Sequence, residues 1–319
     1  MKKFTKILLL VTLLLSLTGC NTKQSKICTT AYPIQYLVNK IGGERVTSYN
    51  ISTDNIIQRA NIKDNFEEEL ENAMALIHIA DLEPYYEMYV GDIKEKDIDI
   101  LDLSLYASIY DFKRYTYVKS GSQEVVVESD YYEDASFNIV DMYTKDPILW
   151  IDPIAMTSMG KYIRDYLIDQ MPESESYFNN NYTKLEAELA VLDAEFQSLK
   201  IQDKDIRIVT MTPSFGNWQK PFGIKIYPVM TSKYGTLPNT KQLEVIKQKI
   251  KADNVKYIAK ENHMSEDMEA MYDLLVSELD LKEVALHNLS SLTETNLANN
   301  EDYLKIMYDN LAALESISE

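Results

Sequence analysis

The chain has 319 residues, 45% of them apolar, enough for two lobes with cores of their own. A formal net charge of −18 argues against nucleic acid, whose phosphates it would repel, and against lying flat on anionic lipid. None of the nine glycines falls in a GxGxxG or P-loop pattern, so no nucleotide-binding fingerprint is present.

Lys2, Lys3 and Lys6 precede an apolar run from Ile7 to Leu17, and Leu17-Thr18-Gly19-Cys20 reads as a lipobox. The run is too short for a membrane span, which needs about 20 apolar residues. Residues 1–19 are expected to be a lipoprotein signal peptide and Cys20 the lipidated residue, with 20–25 as the anchor linker. The mature form then carries 29 basic and 50 acidic residues, a charge of −21. Lipid on Cys20 leaves Cys28 without a disulfide partner, and Cys28 reads as a small buried hydrophobe in the first strand.

Short β-rich runs then alternate with amphipathic helical patterns. Strands are predicted at 26–30, 46–51, 75–79 and 98–102, then at 206–211, 224–229, 255–259 and 283–287. Phe66, Leu70 and Met74 mark one helix face. Leu243, Ile246 and Ile250 mark another, and Met268, Met271, Leu275 and Leu279 a third, with Ser265 as its N-cap. Leu304, Met307, Leu311 and Leu314 close the chain. Residues 120–145 are the least regular and are rich in Asp and Glu, which suggests an acidic surface loop or hairpin.

Between the two blocks, Phe178, Tyr182, Leu185, Leu189, Leu192, Phe196 and Leu199 alternate spacings of four and three. No Gly or Pro occurs from 173 to 212. This predicts one helix over 173–199, about 40 Å long at 1.5 Å per residue. The fold expected is α/β: two α/β lobes, 26–172 and 200–319, joined by one long rigid helix. Each lobe is a small, mostly parallel sheet flanked by helices.

Several short motifs stand in a fixed order along this frame. They are Thr29-Thr30-Ala31-Tyr32-Pro33-Ile34, Ile41-Gly42-Gly43-Glu44-Arg45-Val46, Leu82-Glu83-Pro84-Tyr85 and Asp146-Pro147-Ile148-Leu149-Trp150-Ile151-Asp152-Pro153. Thr210-Met211-Thr212-Pro213-Ser214-Phe215-Gly216, Leu237-Pro238-Asn239-Thr240-Lys241-Gln242-Leu243 and the last helix follow. Together they resemble the zinc/manganese-type solute-binding lipoproteins of ABC transporters. The fourth motif is similar to that family's Asp-Pro-His-x-Trp-Leu-Asp-Pro signature, with Ile148 at the histidine.

The resemblance implies an extracytoplasmic binding protein, not an enzyme, held to the cell membrane by its N-terminal lipid. It also implies an ABC permease as partner, a metal ion or small solute between the lobes, and a monomer. Zinc or manganese is implied by the resemblance alone. At the family's ligand positions this chain has Ile57, in the stretch Asp54–Arg59, then Ile148 and Thr212; the fourth position falls at or beside His287. Zinc needs about four N, S or O ligands, and two isoleucines offer none.

Three histidines remain. His78 ends an apolar strand and reads as a hydrogen-bonded core histidine. Glu261, His263 and His287 form a residual metal candidate in the C-terminal lobe, with a loop of scattered polar residues as the plainer reading. Tyr32, Trp150 and Phe215 are candidates to line the cleft, which would then suit an organic ligand or metal chelate better than a bare cation. A further alternative is an interaction or adhesion lipoprotein that has lost its ligand.

Overall fold

The structure is a computed structural model that describes residues 25–53 and 56–318. The expected signal peptide and lipidation site Cys20, and also Asp54 and Asn55, lie outside the described residues.

The first half contains β1 (Ser25–Thr29), α1 (Tyr32–Gly42), β2 (Val46–Asn50), α2 (Phe66–Glu71), β3 (Ala75–His78), α3 (Pro84–Lys94) and β4 (Asp99–Asp102). An antiparallel hairpin follows, β5 (Arg114–Ser120) with β6 (Gln123–Ser129). Two helices come next, α4 (Pro153–Gln170) and α5 (Glu175–Ile201). The second half contains β7 (Arg207–Thr210), α6 (Gln219–Phe222), β8 (Lys225–Pro228), α7 (Thr240–Ala252), β9 (Tyr257–Glu261), α8 (Glu266–Leu279) and β10 (Lys282–Leu286). The chain ends with α9 (Glu294–Ala298) and α10 (Tyr303–Ser316).

The strands form two four-stranded parallel sheets, ordered β2-β1-β3-β4 and β10-β9-β7-β8. Read from its own first strand, each sheet has the same order, so the two halves repeat one topology. The expected α/β architecture is therefore the one observed, and each predicted strand lies within two residues of an observed one. Parallel strands joined by crossover helices are covered on both faces, which explains their continuous apolar runs. In β3, Ala75 and Ile77 face one apolar cluster while Leu76 faces another.

Helix α5 begins and ends two residues later than expected, and all seven residues of its predicted stripe are buried. It packs on α1 and α4 of the first half and on α6 and α10 of the second. The same apolar cluster takes in Ile27 and Ile77 of the first sheet, the α5 stripe, and Ile208, Ile226 and Ala259 of the second. One continuous core thus joins the inner faces of both sheets through the helix. Packed interiors have discrete arrangements and deform little, so this core restricts hinge motion.

The acidic region departs from a plain surface loop. Its first part is the exposed hairpin β5–β6. Beyond the hairpin, Tyr131, Tyr132, Phe137 and Tyr143 are buried with Val209, Met211 and Tyr227 on the outer side of the second sheet. Burying a large aromatic side chain contributes about 1.5–3 kcal/mol, which holds the segment down despite its carboxylates.

Among the described residues, no helix is long and apolar enough to cross a membrane. Cys28 is fully buried and burial pushes its thiol up to about 12, as expected of an inert core cysteine.

Candidate functional site

In open parallel sheets, ligands bind beyond the carboxyl ends of the strands where the strand order reverses. Here those points are β1/β3 in the first sheet and β7/β9 in the second. The first point gathers Thr30, His78 and Glu83. The second gathers Thr212, Ser214 and Glu261.

Glu261 ends β9 and is fully enclosed. Its Oε1 accepts the N–H groups of Met211 (2.7 Å) and Thr212 (2.9 Å). Its Oε2 accepts the Thr212 hydroxyl (2.5 Å) and the Asn288 side-chain amide (3.3 Å). Thr212 Oγ1 also shares a hydrogen bond with Ser214 Oγ (2.7 Å). Burial raises the Glu261 carboxyl above its ordinary range, although these donors favour the ionised form. The carboxylate is thus occupied in fastening β7 to β9, and Thr212 spends its hydroxyl on it.

His287 follows β10. Its Nδ1 accepts the Leu289 N–H (3.0 Å), so the proton sits on Nε2, which donates to Asn296 Oδ1 (3.0 Å). Burial pushes its pKa down to about 4, so the ring is neutral at physiological pH with both nitrogens engaged. His263 sits next to β9 in a left-handed conformation with φ of 57°. Glu261 and His287 are tied through Asn288, whose amide reaches Glu261 and whose N–H donates to Asn262 Oδ1 (2.9 Å). The three residual candidates therefore share one loop cluster. Yet among the described residues no group of three His, Cys, Asp or Glu side chains is arranged to hold a metal ion.

The two isoleucines expected at ligand positions lie inside the core. Ile148 is 1% exposed and Ile57 is 3% exposed, and both belong to the large central core. The Ile148 N–H donates to Asp146 Oδ1 (3.1 Å), and its carbonyl accepts from Asn217 Nδ2 (2.7 Å). Asp146 is enclosed and its carboxyl is pushed up to about 7 by burial. Gly216 leaves room for that carboxyl, since a Cβ there would stand 2.1 Å from Asp146 Oδ2. The other aspartate of the motif, Asp152, caps α4 by accepting the Ile154 N–H (2.8 Å).

Trp150 and Phe215 are fully buried. The Trp150 indole donates to Asn288 O (2.9 Å), and its own carbonyl accepts the Tyr303 hydroxyl (2.6 Å). Phe215 stacks near Trp218, with ring centres 4.9 Å apart. Trp150 thus joins its motif loop to the second half from within the core. Tyr32 alone of the three is half-buried, beside Tyr36. His78 is buried, with Nδ1 3.2 Å from the Ala80 carbonyl and its ring stacked on Tyr86, so it is a core histidine.

Two features had no sequence signal of their own. Glu83, within the Leu-Glu-Pro-Tyr motif, is completely buried, and neither carboxyl oxygen makes a full hydrogen bond. Burial pushes it up to about 8, and the Thr30 hydroxyl beside it offsets this only in part. Arg59, on the loop between β2 and α2, reaches across to Gly235, Ser265 and Asp267 of the second half. Ser265 stands at the start of α8 as expected, but its hydroxyl turns to Asp267 (2.5 Å) instead of capping the helix.

These features can be set beside known proteins. A profile described as "ZnuA: Zinc-uptake complex component A periplasmic" matches residues 27–317. The zinc-binding lipoprotein AdcA of Streptococcus pneumoniae is 24% identical over 323 aligned residues, which cover all of this chain. The chain spans 62% of that protein's length. Two crystal structures from S. pneumoniae share the fold. The Zn(II)-bound ZnuA-like domain of AdcA superposes with a TM-score of 0.67 at 19% identity, covering 92% of this chain and 99% of that one. A Zn(II)-bound variant of AdcAII superposes with a TM-score of 0.73 at 20% identity, covering 93% and 99%. The match is to binding components of uptake complexes, not to enzymes, and its reach over nearly every described element shows that the chain belongs to the ZnuA family of periplasmic zinc-uptake proteins.

Proposed function

We propose that this chain is the lipid-anchored, extracytoplasmic solute-binding component of an ABC importer in which the zinc ligands of the family have been lost. The supporting observation is Ile148: an apolar side chain, enclosed in the core, stands where the signature motif has a histidine. Ile57, in the same apolar core, repeats the substitution at the expected first position. Thr212 and Glu261 satisfy each other, and His287 is held in a tautomer whose lone pair already accepts a backbone N–H. Zinc requires about four donors at roughly 2.0–2.3 Å, and any residual metal binding falls to Glu261, His263 and His287. The cargo is then a solute other than a tightly held bare cation, and the permease is the partner.

The same filled site favours a second reading, an interaction lipoprotein that no longer carries a ligand. Permease and ATPase genes adjacent to its own would support the importer, and an orphan gene the second reading. Native mass spectrometry of the soluble form, purified from its natural host, tests both. The importer reading expects an organic solute or chelate of defined mass. One zinc per chain would refute the loss of the metal site, and a bare polypeptide mass would favour the second reading.

A further inference from the structure

A cavity of about 570 Å³ is lined by residues between 130 and 144 with Phe112, Lys113 and Thr231, and none of the ligand positions described above lines it. Its size is that of a small-molecule site. Five rings line it: Phe112, Tyr131, Tyr132, Phe137 and Tyr143. They are packed against one another, with centres 5.1 Å apart for Phe112 and Tyr131 and for Tyr132 and Phe137. The Phe112 and Tyr143 centres are 5.9 Å apart. The walls are therefore preformed.

The tyrosine hydroxyls are committed elsewhere. Tyr131 accepts from Gln219 Nε2 (3.0 Å), Tyr132 donates to Pro228 O (2.8 Å), and Tyr143 donates to Leu82 O (2.8 Å). What these residues offer an occupant is ring surface, not hydrogen bonds.

The charges at the cavity have one sign in excess. Asp130, Glu133 and Asp134 line it with a single cation, Lys113, and Lys113 is already paired with Asp130. Asp134 accepts the Ser136 N–H (2.8 Å), and Lys241 approaches it only to 3.7 Å in an exposed pair worth little. Glu133 is exposed and has no ion-pair partner among the described residues. A ring-lined space with excess carboxylate repels anions and gives a neutral guest only apolar contact. It favours a cation, which gains from both the carboxylates and the ring faces. The same neighbourhood already uses this interaction, with Lys220 4.9 Å from the centre of the Tyr110 ring and 5.0 Å from that of Tyr115.

We propose that this cavity is a binding site for an organic cation, an ammonium group carried on a compact apolar body. It is distinct from the family's metal position, and its existence does not depend on the reading of that position.

Calorimetric titration with choline, benzyltrimethylammonium and 3,3-dimethylbutan-1-ol tests it. The alcohol is choline with the charged nitrogen replaced by carbon. Saturable one-to-one binding is expected for at least one of the two cations, with the alcohol about tenfold weaker than that cation or worse. Glu133→Gln combined with Asp134→Asn lies at the exposed rim and should leave the thermal midpoint unchanged while weakening the cation at least about threefold. Phe137→Leu, which keeps apolar bulk but removes a ring, should weaken it by a similar factor. The proposal is overturned if neither cation binds by about 10 mM. It is equally overturned if the alcohol binds as tightly as the cations, or if the rim variant keeps full affinity.

Discussion

Arg59 and Asp267, 208 residues apart in sequence, form a two-pronged ion pair, Nη1 to Oδ1 at 2.9 Å and Nη2 to Oδ2 at 2.9 Å. The same guanidinium donates from Nε to Gly235 O (2.9 Å) and from Nη1 to Ser265 Oγ (2.8 Å). Bidentate geometry makes this the most directional of the contacts between the halves. It springs from the loop between β2 and α2. A charge clamp thus ties the first-half loop to the start of α8.

Arg59→Met should loosen the halves at the loop ends while the shared core keeps the fold. Asp267 is half-exposed, so the loss should be about 1 kcal/mol, seen as a drop of roughly 2–4 °C in the thermal midpoint. Arg59 and Ser265 hold the Asp267 carboxyl well below the usual aspartate range. Its contribution is therefore present above the ordinary value of about 3.9 and lost only as pH falls through the depressed one. The penalty in Arg59→Met should be constant from pH 5 to 8. Gly235→Ala should act the same way, because a Cβ there would stand 2.5 Å from Arg59 Cγ in a backbone with φ of +69°.

Glu83 sets an opposite pH dependence. Its carboxyl is raised to about 8, so the protonated form is the one the fold accepts. Its contribution is complete below the ordinary glutamate value of about 4.3 and is lost as pH rises through about 8. Asp146, raised to about 7, acts in the same direction. Urea denaturation should show stability falling between pH 5 and 8. Glu83→Gln, which cannot ionise, should recover on the order of 2–4 kcal/mol at pH 8 and almost nothing at pH 4. An equal effect at both pH values would mean that Glu83 is solvated.

Leu189 stands in the middle of the α5 stripe and is fully buried. Leu189→Ala should cost about 2–5 kcal/mol through lost contact and the cavity left behind. Because one core joins both sheets, a single cooperative transition should be retained in calorimetry. Two separated transitions would show that the halves are independent.

Cys20→Ala should release the protein from the membrane fraction or leave an uncleaved precursor, because the lipid is the only anchor proposed. Unchanged fractionation and electrophoretic mobility would remove the lipoprotein reading.

The sheets and the long helix were legible because their signals are periodic and local. Short, mostly apolar runs such as Ala75–Ile79 fit covered strands, and the four-three spacing from Phe178 to Leu199 fits one helix face. The order of the motifs carried the family. What escaped depends on distant partners. Nothing near Arg59 indicates Asp267, and nothing near Glu83 indicates that its carboxyl lacks a full hydrogen bond. The acidic character of residues 120–145 concealed the four aromatic residues that fold the segment onto the second sheet. Trp150 and Phe215 lie in motifs that suggested a cleft wall, yet both are enclosed: the Asn288 carbonyl comes from across the chain to Trp150, and the Trp218 ring folds back onto Phe215 from three residues on.

The loss of the metal site is reversible on this account. Ile148→His with Thr212→His should raise zinc affinity at least about tenfold over the unaltered chain, since two imidazole donors then replace an alkyl group and a hydroxyl. No gain in competition against a chromophoric chelator would show that the backbone at Ile148 no longer presents a ligand inward.

Zinc titration of the unaltered chain, lacking only its signal peptide and anchor, tests the central claim most directly. With Ile57 and Ile148 in the core and Thr212 bonded to Glu261, calorimetry at neutral pH should detect no stoichiometric zinc site tighter than about 1 µM. One zinc bound per chain with submicromolar affinity would contradict it.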